Sequence, residues 1–156
     1  MQYASKVPSH WYPRNDPAAR GQVDQWLDWR SNTLVPSFAE VYRPKILGVK
    51  LHEDEKVHEA LYEVANKKLQ AALDRLEAHF AEGNRFIAGG SEPTIADIGI
   101  LVVFLSATLV APVEECFGNR PHLANWNTET PKVIPHWDEA HALFFAIRNA
   151  RREQKQ

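Results

Sequence analysis

The residues best equipped for chemistry in this sequence are one thiol, seven imidazoles and a pair of adjacent glycines. Cys116 follows Glu114 and Glu115. Negative charge beside a thiol favours its protonated, unreactive form, so Cys116 reads as a small, half-buried apolar side chain. A single cysteine forms no internal disulfide and no Cys-rich zinc module, which makes a reducing compartment, the cytoplasm, the expected setting. The histidines show no His-Glu-x-x-His pattern. His136 and His141 are spaced to point to different faces of a helix, so no metal site is expected. Gly89-Gly90 could cradle a phosphate, but no Lys-Ser/Thr pair and no run of spaced glycines accompanies them. No Gly-x-Ser-x-Gly elbow occurs either. The acidic runs Glu53-Asp54-Glu55 and Glu114-Glu115 read as solvated loops and helix starts. Arg148, Arg151 and Arg152 read as a solvated helix end. By spacing alone these residues assemble no catalytic constellation.

The chain that must position them has 156 residues, 44% apolar and 24% charged, the balance of one globular domain able to bury a core. With 18 basic against 20 acidic residues the net charge is −2, which leaves no electrostatic footprint for nucleic acid. The N-terminus shows no basic stretch leading into an apolar one, so no secretory leader is expected. The most apolar stretch, residues 98–111, is shorter than the roughly 20 residues a membrane span needs and is stopped by Pro112. It is expected as a helix buried on all sides, and no membrane partner is expected.

Helical periodicity accounts for most of the rest. Residues 1–15 are expected to hold the end of a preceding helix and a linker, with Trp11 and Tyr12 lying against something. Asp16-Pro17 has the form of a helix start: an N-cap acceptor followed by a residue pre-set for the first helical position. Val23, Trp26, Leu27, Leu34, Phe38 and Tyr42 recur at near-helical spacing, and Pro36 within the run predicts a kink. Asp54 opens the longest stretch, with Val57, Leu61, Val64, Ala65, Leu69, Ala72, Leu73, Leu76 and Phe80 on one stripe and Gly83 as a left-handed stop. Thr94-Ile95-Ala96-Asp97 has the form of a capping box, in which the Thr94 hydroxyl accepts from a backbone N–H near Asp97 and the Asp97 carboxylate reaches back to the N–H of Thr94. Loss of the Thr94 hydroxyl is expected to cost about 1 kcal/mol from capping alone. Residues 120–126 read as a short helix and 136–151 as a last amphipathic one, with Trp137, Ala140, Phe144 and Ile147 on its apolar side and Leu143 beside them. The expectation is all-α, five to seven helices in antiparallel packing, over residues 16–151, with a tail at 152–156.

In order, these landmarks resemble a family. His10-Trp11-Tyr12-Pro13, residues 16–20 leading to Val23-Asp24-Gln25-Trp26-Leu27-Asp28-Trp29, the Thr94–Asp97 box, and Arg120-Pro121-His122-Leu123-Ala124-Asn125-Trp126 are similar to the C-terminal helical domain of cytosolic glutathione transferases, most of all the theta class. The resemblance covers nearly the whole chain.

It implies an intact enzyme in which a thioredoxin-like first domain binds glutathione as co-substrate and activates its thiol, with no cofactor held here. Met1-Gln2-Tyr3-Ala4 looks like the final turn of that domain's last helix. The helical domain would supply the apolar substrate pocket near Val35, Phe38, Ala39 and Tyr42, whose other reading is plain core. Some theta-like enzymes place an acidic residue on this helix that reaches the partner subunit's glutathione. Asn32 matches that position and keeps its hydrogen bonding without the charge. A theta arginine tied to anionic leaving groups would fall at Val35, and valine cannot do that job. Thr94 and Asp97 match the family's folding motif. The theta lid helix has no counterpart after residue 151. On this reading the chain alone is inactive. An alternative from another class is a non-catalytic assembly module of the kind found in translation factors and aminoacyl-tRNA synthetases. Trp11, Tyr12 and part of the central helix would then expose an apolar face that could take a thioredoxin-like domain, another protein or a second copy.

Overall fold

The computed structural model describes residues 9–153, and among them every regular element is helical. After a turn at Ser9–Trp11 the elements are α1 (Pro17–Trp29), a π-helical turn (Arg30–Leu34), α2 (Val35–Leu47), α3 (Glu55–Ala81), α4 (Ile95–Ala107), α5 (Val113–Phe117), α6 (Pro121–Val133) and α7 (Trp137–Glu153). The reading of residues 1–6 as a helix end lies outside the described residues. The tail, 152–156, lies largely outside them.

Trp11 and Tyr12 lie half-buried against the core, and the Tyr12 hydroxyl donates to Asp24 Oδ1 at 2.9 Å. Asp16 caps α1: its Oδ1 accepts from the N–H groups of Ala18 and Ala19 at 3.1 and 3.0 Å. The break expected at Pro36 falls just before it, as a π turn instead of a simple kink. Proline has no N–H to donate, and its ring crowds the carbonyl four residues back, that of Asn32. Widening the preceding turn relieves the crowding. The Val35 N–H accordingly reaches the Arg30 carbonyl, five residues back. Asn32 Nδ2 donates to the Asp28 carbonyl and Ser37 Oγ to the Thr33 carbonyl, so side chains take up acceptors around the bulge. Gly48 ends α2 and Gly83 follows α3, each in the left-handed region at φ 67° and 90°.

At 27 residues, α3 is about 40 Å long. Its stripe is buried only from Ala65 to Phe80. Val57, Leu61 and Val64, expected in the core, are 40–53% exposed, because the covered face at the start of α3 is that of His58, Tyr62 and Ala65, to one side of them. The last two helices also depart from expectation. Residues 120–126 open a 13-residue helix that continues through Pro131, which forfeits one bond to the Asn127 carbonyl two residues before the helix ends. In α7 the packed face is Trp137, His141, Phe145 and Arg148, while Ala140, Leu143 and Ile147 face water. Apolar spacing does not distinguish these two faces, and ring packing on Trp137 selects between them.

The centre is α4, which packs against α1, α2, α5 and α6. Seven of its 13 residues are buried, among them Ile100, Leu101, Val103 and Phe104. Its expected burial on all sides is incomplete, for Val102 is 39% exposed. Its first turn is locked by Asp97, which is fully buried. Asp97 Oδ2 accepts from the Thr94 N–H at 2.8 Å and the Thr94 hydroxyl at 3.2 Å. Oδ1 accepts from the Ile87 N–H at 2.8 Å and the Trp126 indole N–H at 3.2 Å. The Thr94 hydroxyl in turn accepts from the Ala96 N–H. The carboxylate thus ties the capping box to the preceding loop and to α6. Burial pushes its pKa above the ordinary value, and the hydrogen bonds it accepts oppose that rise.

A second carboxylate works between helices. Arg120, the residue before α6, makes no N-cap with its own side chain. Glu77 of α3 supplies the cap instead, accepting from the N–H groups of His122 at 3.3 Å and Leu123 at 2.8 Å. Arg120 fastens the same joint through Asp74 and the Phe117 carbonyl. Desolvation raises the Glu77 pKa. The Leu123 N–H and the His122 ring and N–H outweigh that effect and leave the carboxyl below its usual range.

Asp97→Ala should destabilise the fold by at least about 3 kcal/mol in chemical denaturation, because three buried N–H donors lose their acceptor. A loss under about 1 kcal/mol would remove Asp97 from its central place. The lowered Glu77 pKa makes its contribution present above pH 4.5, the ordinary value, and lost as pH falls through the lower folded value. The stability gap between wild type and Glu77→Gln should therefore be present at neutral pH and shrink in acid. Urea titrations across pH check this, and a gap independent of pH would refute it.

Candidate binding cleft

One face of α2 carries Val35, Phe38, Ala39, Tyr42 and Ile46 at steps of three and four residues. Opposite them α4 presents Val102, Val103 and Ser106, and Arg30 of the π turn closes one end. Between the two helices lies a cleft of about 440 Å³, within the range of small-molecule sites.

The four residues read from sequence as pocket or core are brought together here. Phe38 and Tyr42 are both: nearly fully buried, their rings stacked at 4.4 Å, they join the core and floor the cleft. Phe38 also meets Phe104 of α4 edge-on at 6.3 Å. Val35 and Ala39 are half-buried walls. Asn32 is not brought to the cleft: it is exposed on the π turn, with its amide bonded to the Asp28 carbonyl. Thr94 and Asp97 lie at the start of α4 and touch the cleft nowhere.

Sequence reasoning missed Arg30, Ile46 and the α4 wall. The available signal was Gly99, a residue without a side chain in the middle of the most apolar helix, which marks a close approach by another element.

The lining holds no carboxylate, imidazole or thiol among the described residues. Its one phenol, Tyr42, is held protonated chiefly by burial, and the neighbouring Cys116 thiol adds to the effect. The Cys116 thiol is likewise raised by burial, against the opposing effects of Tyr42 and two nearby cations. It is fully buried, where half-buried was expected, and burial outweighs its acidic neighbours as the reason it is a poor thiolate. Chemically, the cleft can hold and orient an apolar body but has no group to react with it. A second cavity, about 390 Å³, lies between the end of α3 and α6, and two of its charged residues, Glu129 and Lys132, pair with each other at 2.5 Å. Among the described residues no three His, Cys, Asp or Glu side chains are grouped to hold a metal, and no helix is long and apolar enough to cross a membrane.

Residues 59–133 match the family model described as the C-terminal domain of glutathione S-transferase. Over 99% of its length the chain is 28% identical to glutathione S-transferase T2 of Arabidopsis thaliana, of which it covers 26%. Over 78% it is 33% identical to glutathione S-transferase theta-2 of Rattus norvegicus, of which it covers 47%. A human theta-class transferase, solved with the glutathione conjugate of 1-menaphthyl sulfate, superposes with a TM-score of 0.69 at 28% identity, over 97% of this chain and 61% of that one. The chain thus spans about a quarter to three fifths of these relatives. The buried aspartate lock, the helix order and these likenesses in sequence and structure agree: this is a helical domain similar over nearly its whole length to the C-terminal part of theta-class glutathione S-transferases.

Proposed function

We propose that residues 16–151 are the acceptor-binding domain of a glutathione-conjugating enzyme. The cleft carries this reading: an apolar trough on the face of α2, about 440 Å³, with no reactive group of its own. Val35, Phe38, Ala39 and Tyr42 hold the apolar body of an electrophile. Glutathione comes from a thioredoxin-like domain, and its thiolate attacks the electrophilic atom, forming a sulfur bond as the leaving group departs with its electron pair. The helical domain contributes proximity and orientation. Asn32, exposed on the π turn, meets glutathione held by a partner subunit in a homodimer. The setting is the cytoplasm and the role detoxification of apolar electrophiles.

The second reading, a non-catalytic assembly module, is favoured by one observation. Leu47, Val49, Val57, Leu61 and Val64 are 40–59% exposed around the end of α2 and the start of α3, a face suited to another protein.

Glutathione calorimetry and a conjugation assay distinguish the readings. The 156-residue chain alone should neither bind glutathione measurably nor turn over. Turnover should appear when a theta-type thioredoxin-like domain is joined to it, and it should fall when Ala39→Trp fills the cleft. Turnover by the chain alone would overturn the division of labour. Turnover unaffected by Ala39→Trp would overturn the cleft's role.

A further inference from the structure

The backbone keeps right-handed helical geometry at Trp29, Arg30, Leu34 and Val35, so α1, the π turn and α2 form one continuous helix with a single wide turn in it. Both halves pack on the same two helices. Trp26 of α1 meets His79 of α3, and Gly99 of α4 lies close to Leu27 and Arg30. α2 likewise packs on α3 and α4. The buried faces of the two halves must therefore lie on one side.

In a regular helix they would not. Each residue of an α-helix turns the chain by about 100°. On that count, the buried face of α1 (Val23, Trp26 and Trp29) and that of α2 (Ser37, Phe38, Val41 and Tyr42) point about a quarter turn apart. That is close to the rotation of one residue. A turn closed by a bond from Val35 back to Arg30 holds one residue more than an α turn and takes up the difference. The excess lies on the wet side: Ser31, Asn32 and Thr33 are exposed, while Leu34 is fully buried. Without it, the same sequence would turn Glu40 and Pro44 inward and Phe38 and Tyr42 outward, and the cleft would lose its floor.

We propose that the π turn is a one-residue insert that sets the register of α2 and thereby selects which of its faces lines the cleft. Pro36 makes the wide turn easy to form, and the apolar pattern on either side makes it necessary. The bearing of this register on ligand binding rests on the cleft being the acceptor site, and its bearing on the fold does not.

Three variants of the 156-residue chain test it, each followed by urea unfolding and by titration with phenylnaphthylamine, a neutral apolar fluorophore. Pro36→Ala should fold cooperatively and bind the probe within about twofold of wild type, since the register and not the ring demands the turn. Deletion of Ser31 combined with Pro36→Ala removes the extra residue at an exposed site and leaves a regular helix with both faces aligned. It too should fold cooperatively, with probe affinity within about threefold of wild type. Insertion of one alanine after Ser31 rotates α2 by a further residue. It should abolish cooperative unfolding or weaken the probe by more than about tenfold. A turn that is merely slack would accept deletion and insertion alike, and a turn whose length is fixed for another reason would reject both. Either of those results, or loss of the probe on Pro36→Ala, would overturn the insert. Failure of wild type to bind the probe, with deletion and insertion still differing in unfolding as stated, would overturn the cleft reading and uphold the register.

Discussion

A carboxylate taken fully out of water has few ways to remain in a fold, and Asp97 uses the principal one: every donor within reach points at it. Its four hydrogen bonds come from its own helix start, from the loop before it and from α6, so three pieces of chain meet at one buried charge. Desolvation of that charge is unfavourable by itself, as its raised pKa records, and the donors make it tolerable only when all are in position. The first turn of α4 is therefore defined by polar geometry before hydrophobic packing is counted. Everything that leans on α4 inherits that definition: α1 and α2 on one side, α5 and α6 on the other.

The consequence for function runs through the opposite end of α4. There the helix is a wall, presenting Val102, Val103 and Ser106 to α2. The π turn before α2 sets where the facing wall begins, and the Arg30–Gly99 bond joins turn and wall directly. A cleft formed by two helices held in this way has a defined width without any ligand in it. Its size and apolar walls are those of a small-molecule site, and among the described residues no carboxylate, imidazole or thiol lines it.

Much of the framework was legible in the residues. Asp16-Pro17, the Thr94–Asp97 box and the stop at Gly83 are local signals, made by side chains and backbone within a turn of one another, and the structure uses each of them. The pocket residues on α2 were legible as one face for the same reason. What stayed hidden depended on elements distant in the chain. Val57, Leu61 and Val64 keep helical spacing yet remain exposed, since the covered face there runs through His58, Tyr62 and Ala65, and spacing alone does not say which edge of a broad stripe a neighbour covers. The face chosen by α7 and the inter-helix cap from Glu77 are hidden likewise, for each is settled by a partner on another helix.

Local rules therefore determined, from sequence alone, the all-helical class, the capped starts of α1, α3 and α4 and the central apolar rod, because capping and periodicity act over one or two turns. The tertiary structure alone decided that a glycine in that rod admits Arg30, that Phe38 and Tyr42 are floor as well as core, and that Asn32 stays outside the cleft. These outcomes depend on distances between residues far apart along the chain, 69 positions in the case of Arg30 and Gly99, and such distances exist only once the helices have packed.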